Sequence, residues 1–111
     1  MDIKRDSSGI CGLAVSGHSG YGVSGQDIVC AAASVLITTC ANALDSVAGI
    51  TPLVKQNERT AMISVMLPSG LSSSADHDAR IILQTTLQGF SDVAAQYPKY
   101  LQINDGRTSS C

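Results

Sequence analysis

Two side chains capable of covalent chemistry, His18 and Cys30, flank a glycine-rich stretch near the start of this sequence. The segment from position 17 to position 25 contains four glycines, so its backbone can bend closely around a ligand. These glycines are Gly17, Gly20, Gly22 and Gly25. The apolar residues that follow predict a helix over 26–48, with Cys30 in its first turn or just beyond. Unpaired N–H groups and the helix dipole favour an anion there, and hence the nucleophilic thiolate.

Helical spacing also predicts a polar face beside this cysteine. Asp27, Cys30, Ser34 and Thr38 recur three or four residues apart, so they share one side of the predicted helix. We expect this side to meet a substrate. The glycine loop has enough slack for the His18 imidazole to swing back over the helix start, so the geometry permits a pair with Cys30. Four of these residues also have a simpler interpretation. His18 is then a loop histidine bonded to a backbone carbonyl, and Cys30 is a small buried residue. Asp27 is an acidic residue favoured by the helix dipole, and Ser34 fills a helix crossing.

Nucleotide binding is an alternative use of the glycines. Residues 20–25 match the G-x-G-x-x-G pattern of dinucleotide-binding loops, and Asp45 follows Gly25 at a suitable distance. Asp45, however, falls near the end of the predicted helix instead of at a second strand. The segment between Val15 and Gly20 is also longer than a βαβ turn needs. We therefore treat a nucleotide site as the weaker hypothesis.

Length and composition describe a small, weakly charged domain. The chain has 111 residues, a net charge of −2 and 14% charged residues, so we expect one domain over 1–111 and no nucleic-acid binding. The N-terminus shows no apolar run after its basic residues, so we expect no signal peptide and a cytoplasmic protein. The uncharged stretch between Asp27 and Asp45 contains Ser, Thr, Cys and Asn, which favours a core helix that faces a partner subunit over a membrane span.

The four cysteines, Cys11, Cys30, Cys40 and Cys111, contain no Cys-x-x-Cys pair. In a reducing compartment we expect all four to be thiols. The two histidines, His18 and His77, are far apart in the chain, so the sequence shows no metal-ligand spacing and we expect no metal or cofactor.

The remaining patterns predict an α+β domain with two layers, in the order ββαββαβ. Expected strands are 3–5, 10–15, 51–55, 61–67 and 100–103, and residues 105–111 are expected to be frayed. A capping box at Ser73 begins a second helix that ends before Pro98. The predicted core stripe of the first helix is Val29, Ala33, Leu36, Cys40, Ala43 and Val47, and that of the second is Leu83, Leu87, Phe90, Ala94 and Tyr97. Both helices should cover one face of a small mixed or antiparallel sheet of about five strands.

The glycine loop and the helix start together resemble a known family. Gly-His-Ser-Gly-Tyr at 17–21 and Gly-Gln-Asp-Ile-Val-Cys-Ala-Ala-Ala-Ser at 25–34 are similar to the signature of the ribosomal-processing cysteine protease family, Prp. A weaker similarity extends over nearly the whole chain. Ser19 and Ala33 depart from the family's usual alanine and valine, and both are small-for-small changes.

This resemblance implies an endopeptidase that removes a short N-terminal extension from large-subunit ribosomal protein twenty-seven. It implies Cys30 as nucleophile, His18 as general base, and supporting roles for Asp27 and Ser34. It also implies a homodimer and a flexible loop over the site. A non-catalytic dimeric module that grips a ribosomal protein tail is the alternative function.

Overall fold

The computed structural model describes residues 1–16 and 24–110, with side chains for residues 1–16 and 27–105. The strands are β1 (Asp2–Asp6), β2 (Gly9–Val15), β3 (Leu53–Asn57), β4 (Met62–Met66) and β5 (Asn104–Ser110), and the helices are α1 (Ser24–Ser46) and α2 (Ser73–Gln96). The strands form one mixed sheet in the order β3-β4-β2-β1-β5. The predicted α+β class and element order are confirmed.

A bulge in β2 sets which side chains face the helices. Lys4 pairs with Gly12 and Arg5 with Ile10, so Cys11 is an extra residue on β2. Ile10 and Leu13 are three positions apart, yet both enter the core because the bulge reverses the alternation between them. Both helices contact β2, and their buried residues join those of β1, β2 and β4 in one core.

The buried stripe of α1 differs from the predicted one. Val29, Ala33 and Cys40 are buried as expected, together with Ile37 and Leu44. Leu36 and Ala43 are only partly buried, and Val47 is 72% exposed. The prediction for Val47 is wrong because α1 ends at Ser46, two residues earlier than expected, so Val47 is not held at its helical position. Gly49 follows with φ +68°, the left-handed conformation of a helix stop.

The start of α2 lies one residue before the predicted one. The N-cap is Ser72, whose hydroxyl accepts a hydrogen bond from the Ala75 N–H at 3.2 Å, so the capping box expected at Ser73 is wrong. Buried residues of α2 include the expected Leu83 and Phe90, and also Ala79 and Thr86. The other residues of the predicted stripe, Leu87, Ala94 and Tyr97, are partly buried against the core.

An arginine ties α2 to the first hairpin. Arg80 donates to both carboxylate oxygens of Asp6, at 2.8 and 3.1 Å, and to those of Asp76, at 2.9 and 3.0 Å. It also donates to the Ile10 carbonyl at 3.2 Å. These bonds hold the pKa of both carboxyl groups below its usual range. The start of α2 is therefore fixed to the start of β2.

The C-terminal strand is the largest error of the sequence prediction. Tyr100 and Leu101, expected in a strand, donate their N–H groups to the Tyr97 carbonyl at 3.0 and 3.2 Å in a turn. β5 instead occupies 104–110, the segment expected to be frayed, and pairs in parallel with β1. Its Asn-Asp-Gly start has low strand propensity, so long-range pairing decides this strand.

By length and composition alone, α1 could cross a membrane. Residues Asp27–Ser46 have a mean hydropathy of 1.7. One side of the helix is packed into the core through Val29, Ala33 and Ile37. The core helix of a folded domain meets the same criteria, so this is weak evidence for a span.

We expect Gly12→Ala to lower the free energy of unfolding by about 1–3 kcal/mol through overpacking. Gly12 pairs with Met66 across β2 and β4. A Cβ on Gly12 would lie 2.9 Å from the Val65 carbonyl oxygen and would overlap the Met66 Sδ. Urea denaturation followed by circular dichroism measures the loss.

Gly12→Ala/Met66→Ala is the matched control. In the Met66→Ala background, Gly12→Ala should lower the free energy of unfolding by less than it does in the wild type, because the overlap with the Met66 Sδ is gone. Part of the loss should remain, because the Val65 carbonyl is backbone and cannot move aside. An unchanged urea midpoint for Gly12→Ala would contradict the close approach.

Candidate active site at the N-terminal end of α1

Cys30 is a half-buried free thiol in the second turn of α1. The helix begins at Ser24, two residues earlier than predicted, so Asp27 occupies the first turn and Gly25 is helical instead of part of the loop. The dipole effect falls off within the first turn. A strong activation of Cys30 therefore requires a second group close to the thiol.

The predicted polar face is present as a flank of α1. Cys30 and Ser34 are half-buried, whereas Asp27 and Thr38 are exposed. Since the buried stripe runs through Val29 and Ala33, these four residues lie beside it, on the edge of the helix, and not on the outermost face. This flank combines a thiol with hydroxyl groups next to the apolar residues of the buried stripe.

Ser34 lies between two concave surfaces. On the sheet side is a narrow crevice lined by Val15, Ala33, Ser34, Ile37, Ala61 and Ile63. On the outer side is a shallow depression of about 310 Å³ lined by Ser34, Val35, Thr38 and Thr39. The crevice joins α1 to the ends of two strands, and the depression lies on α1 alone.

The crevice identifies the end of the sheet at which the site lies. Val15 is the last residue of β2 and pairs with Ile63, near the start of β4. The turn between β3 and β4, residues 58–61, is at the same end and contributes Ala61. The chain also leaves β2 at this end, at Val15, before it enters α1 at Ser24.

The second histidine is at the other end of the molecule. His77 lies beside Ser8, in the turn before β2, and its ring is 3.4 Å from Asp78. β2 spans about 20 Å between that turn and the end at which α1 begins. His77 is therefore no partner for Cys30.

The other predicted loop residues, His18, Gly17, Gly20 and Gly22, lie outside the described residues. The distance between His18 and Cys30 stays a prediction. Within residues 1–16 and 24–110, no three His, Cys, Asp or Glu side chains form a group that could hold a metal ion.

The remaining cysteines play different roles. Cys40 is a free thiol, 1% exposed, and burial raises its pKa. Cys11 is disulfide-bonded, so the expectation of four thiols is wrong at this position. Because Cys11 is not a free thiol, it gives no support to the inference of a reducing compartment. Cys111 is outside the described residues.

The dinucleotide hypothesis fails on topology. A dinucleotide loop joins two parallel strands through its helix. α1 leads from β2 to β3, and these two strands do not pair, because β4 lies between them and is antiparallel to both. Asp45 is exposed in the last turn of α1 and not at the end of a second strand. The described strands contain one parallel pair, β1 with β5, and α1 does not connect it.

The sheet side of the site was not predicted from the sequence. Val15, Ala61 and Ile63 come from separate elements and meet Ser34 only in the fold. Ala61 in particular belongs to no motif, and its left-handed backbone has no signal in the sequence.

Comparison with known proteins points to one family. The family model described as cysteine protease Prp matches residues 1–102. A Bacillus subtilis protein named ribosomal processing cysteine protease Prp is 24% identical over 100 residues, which cover 90% of this chain and 89% of that protein. A Staphylococcus aureus protein of the same name is 25% identical over 94% of this chain and 95% of its own length.

Solved structures share the fold. The crystal structure of an essential ribosomal processing protease Prp from S. aureus with a substrate peptide gives a TM-score of 0.80 at 23% identity, over 94% of this chain and 95% of that one. A crystal structure of a Streptococcus mutans protein gives a TM-score of 0.80 at 25% identity, over 94% of this chain and 90% of that one.

We expect iodoacetamide to label Cys30 before Cys40 in the native protein. Cys30 is half-buried, whereas Cys40 is 1% exposed and its pKa is raised by burial, so Cys40 has less thiolate and less access. Tryptic mass spectrometry over a time course measures both rates, and Cys30→Ser controls for the assignment. Equal labelling of the two cysteines in folded protein would contradict an accessible site thiol.

Proposed function

The chain belongs to the cysteine protease Prp family and is a cysteine protease, and from this premise we propose that it removes the N-terminal extension of large-subunit ribosomal protein twenty-seven during ribosome maturation. The names of its relatives describe ribosomal processing. The observation that carries the proposal is the position of Cys30, a free, half-buried thiol on a hydroxyl-bearing flank of α1. The same proposal assigns the protein to the cytoplasm, where ribosomes are assembled.

We assign His18 as the general base. The sequence has two histidines, and His77 lies at the far end of β2, beside Ser8. His18 is in the segment that connects β2 to α1, whose two ends, at Val15 and Ser24, are anchored at the site end of the sheet. An imidazole within hydrogen-bond reach is also the activating group that Cys30, in the second helical turn, requires.

Peptide cleavage by this pair proceeds through an acyl-enzyme. His18 takes the thiol proton, and the Cys30 thiolate attacks the scissile carbonyl carbon. The tetrahedral intermediate collapses as the C–N bond breaks and His18 returns the proton to the leaving amine. Water, deprotonated by His18, then hydrolyses the thioester and releases the second product.

Asp27 and Ser34 receive supporting roles. Ser34 is one helical turn from Cys30 on the same flank, and its half-buried hydroxyl is available to a bound peptide. Asp27 is exposed in the first turn, where a negative charge stabilises the helix, and it shares the flank of Cys30.

The decisive experiment is mass spectrometry of the ribosomal protein precursor after incubation with the wild-type protein and single variants. We expect one cleaved bond with wild type and no product with Cys30→Ala or His18→Ala, because each removes a partner in bond cleavage. Ser34→Ala should cleave the same bond more slowly. Cys40→Ala, which removes the buried thiol outside the site, is the matched control and should retain cleavage.

An intact precursor with folded wild-type protein would contradict the proposed protease function on this substrate. Binding of the intact precursor tail in that case would favour the alternative of a non-catalytic module. Cleavage by His18→Ala at the wild-type rate would reject the base assignment alone.

We further propose a homodimer that uses the outer face of α1. Val35 is 65% exposed and Ile28 50% exposed, and no charged residue occurs between Asp27 and Asp45. Contiguous exposed apolar surface of this kind is typical of association surfaces. The shallow depression at Val35 borders Ser34, so the partner would sit beside the active site.

Val35→Glu should convert the dimer to a monomer, because it places a charge in an apolar contact. Light scattering after size-exclusion chromatography measures the mass. Ile81→Glu is the matched control, since Ile81 is 53% exposed but lies on α2. A monomeric wild type, or a Val35→Glu variant that stays dimeric, would contradict this surface.

A further inference from the structure

Cys11 of β2 forms a disulfide bond that the proposed protease mechanism does not use. Cys11 is the extra residue of the β2 bulge, between Ile10 and Gly12. Its side chain is only 1% exposed, yet it is not a member of the core cluster to which Ile10 and Leu13 belong. Packing of the helices on the sheet therefore does not explain this residue, and the bonded partner has to be found elsewhere.

The cysteine content of the chain identifies the partner. The sequence contains four cysteines, Cys11, Cys30, Cys40 and Cys111. Cys30 and Cys40 are free thiols, so neither of them is bonded to Cys11. The bond lies within one chain, and Cys111, the last residue, is the cysteine that is left.

The pairing of β5 brings the chain to the level of Cys11. Ser110, the last residue of β5, pairs with Arg5 of β1, and Arg5 pairs with Ile10 of β2. Two strand spacings, about 10 Å, therefore separate Ser110 from Ile10. Disulfide-bonded cysteines have Cα atoms within about 7 Å of each other. One residue of about 3.3 Å covers the difference, so position 111 is within reach of Cys11.

The register of β5 indicates a restraint at its end. Lys4 pairs with Gly106, and the next residue of β1, Arg5, pairs with Ser110. Residues 107–109 thus interrupt the pairing, and the chain nevertheless returns to β1. A covalent bond to β2 supplies the long-range restraint that such a return needs.

The described side-chain contacts between β1 and β5 hold only the beginning of β5. Arg5 forms an ion pair with Asp105 at 2.8 Å, and the Asn104 amide donates to the Asp2 carboxylate at 3.0 Å. Both contacts are exposed to solvent, where such bonds contribute little stability. A bond at position 111 therefore acts where these contacts do not reach.

We propose that Cys111 is the disulfide partner of Cys11, and that this bond is a redox-controlled lock that fixes the end of β5 to the sheet when oxidised and releases it when reduced. The inference is independent of the proposed protease function. In a reducing compartment the two residues are thiols, and β5 is held by its backbone pairing and its exposed contacts alone. The stability of the domain then depends on the redox state of its surroundings.

The lock forms by exchange with a small-molecule disulfide such as oxidised glutathione. One protein thiolate attacks a sulfur of that disulfide, which breaks its S–S bond and releases one glutathione thiolate. The second protein thiolate attacks the resulting mixed disulfide at the protein sulfur and releases the other. Two protein thiols thus become one disulfide, and one small-molecule disulfide becomes two thiols.

The lock is separate from the proposed nucleophile. Four residues of β2, about 13 Å, separate Cys11 from Val15, which lines the crevice with Ser34. Cys30 is a free thiol in the same structure in which Cys11 is bonded. Oxidation of the lock should therefore change stability and leave the reactivity of Cys30 unchanged.

The first test maps the bond. Protein equilibrated in a glutathione buffer is alkylated with N-ethylmaleimide in guanidinium chloride, digested with an endoproteinase that cleaves before aspartate, and analysed by mass spectrometry. This digestion places Cys11 in fragment 6–26, Cys30 and Cys40 in fragment 27–44, and Cys111 in fragment 105–111. We expect fragment 6–26 to be joined to fragment 105–111 within one chain. Alkylated Cys11 under oxidising conditions, a link from Cys11 to fragment 27–44, or a link between two chains would overturn the assignment.

The second test measures what the bond does. Cys111→Ser should lower the melting temperature by about 10 °C relative to oxidised wild type, because the cross-link restricts the unfolded chain. Wild type reduced with dithiothreitol should show the same fall, and the reductant should not affect the variant further. Hydrogen exchange in residues 106–110 should be faster in Cys111→Ser. Iodoacetamide should label Cys30 at the same rate in both proteins.

Ser110→Ala is the matched control, because it changes the neighbouring residue and leaves both cysteines in place. It should keep the melting temperature of wild type and its response to dithiothreitol. Equal melting temperatures of oxidised and reduced wild type would overturn the lock even if the bond is mapped as expected. A changed labelling rate of Cys30 in Cys111→Ser would overturn the separation of the lock from the active site.

Discussion

The packing of α1 across β2 and β4 is the interaction on which the candidate site depends. The buried stripe of α1, centred on Ala33 and Ile37, contacts the core formed by Leu13 and Val65. A helix that buries one stripe has its other faces fixed as well, because successive residues are rotated by about 100°. The position of Cys30 on the flank of α1 thus follows from the apolar burial of the neighbouring stripe.

Stability and chemistry are concentrated at opposite ends of this sheet. At the start of β2, Arg80 ties α2 to the first hairpin through Asp6 and the Ile10 carbonyl. At the end of β2, the chain enters the glycine-rich segment and α1 carries Cys30. Rigid strands and helices hold the surroundings of the thiol, while a segment rich in glycine supplies the proposed base. This division is common in enzymes, in which loops on a fixed scaffold carry the reactive groups.

The absence of charge between Asp27 and Asp45 of α1 serves two surfaces at once. The inner stripe needs apolar residues to pack on the sheet, and the outer face, with Val35 and Ile28 exposed, is available for the proposed dimer contact. The flank between them carries the small polar residues, including Ser34. One helix therefore meets the core, the proposed partner and the proposed substrate on three sides, which explains why its composition resembles that of a membrane span.

Local patterns in the sequence determined the α+β order, the two helices and the shared flank of Cys30 and Ser34, because helical periodicity and turn residues act over a few positions. The strand β5, which pairs with β1, could not be predicted from local patterns. It forms at Asn104–Ser110 because β1 has an unpaired edge there, and not because Asn-Asp-Gly favours a strand. Ala61 was equally hidden, since its left-handed backbone and its contact with the crevice arise only when the turn between β3 and β4 meets α1. The sequence by itself thus predicted the nucleophile and determined the helix that carries it. The tertiary structure decided what faces that helix, because residues distant in the chain become neighbours only through packing.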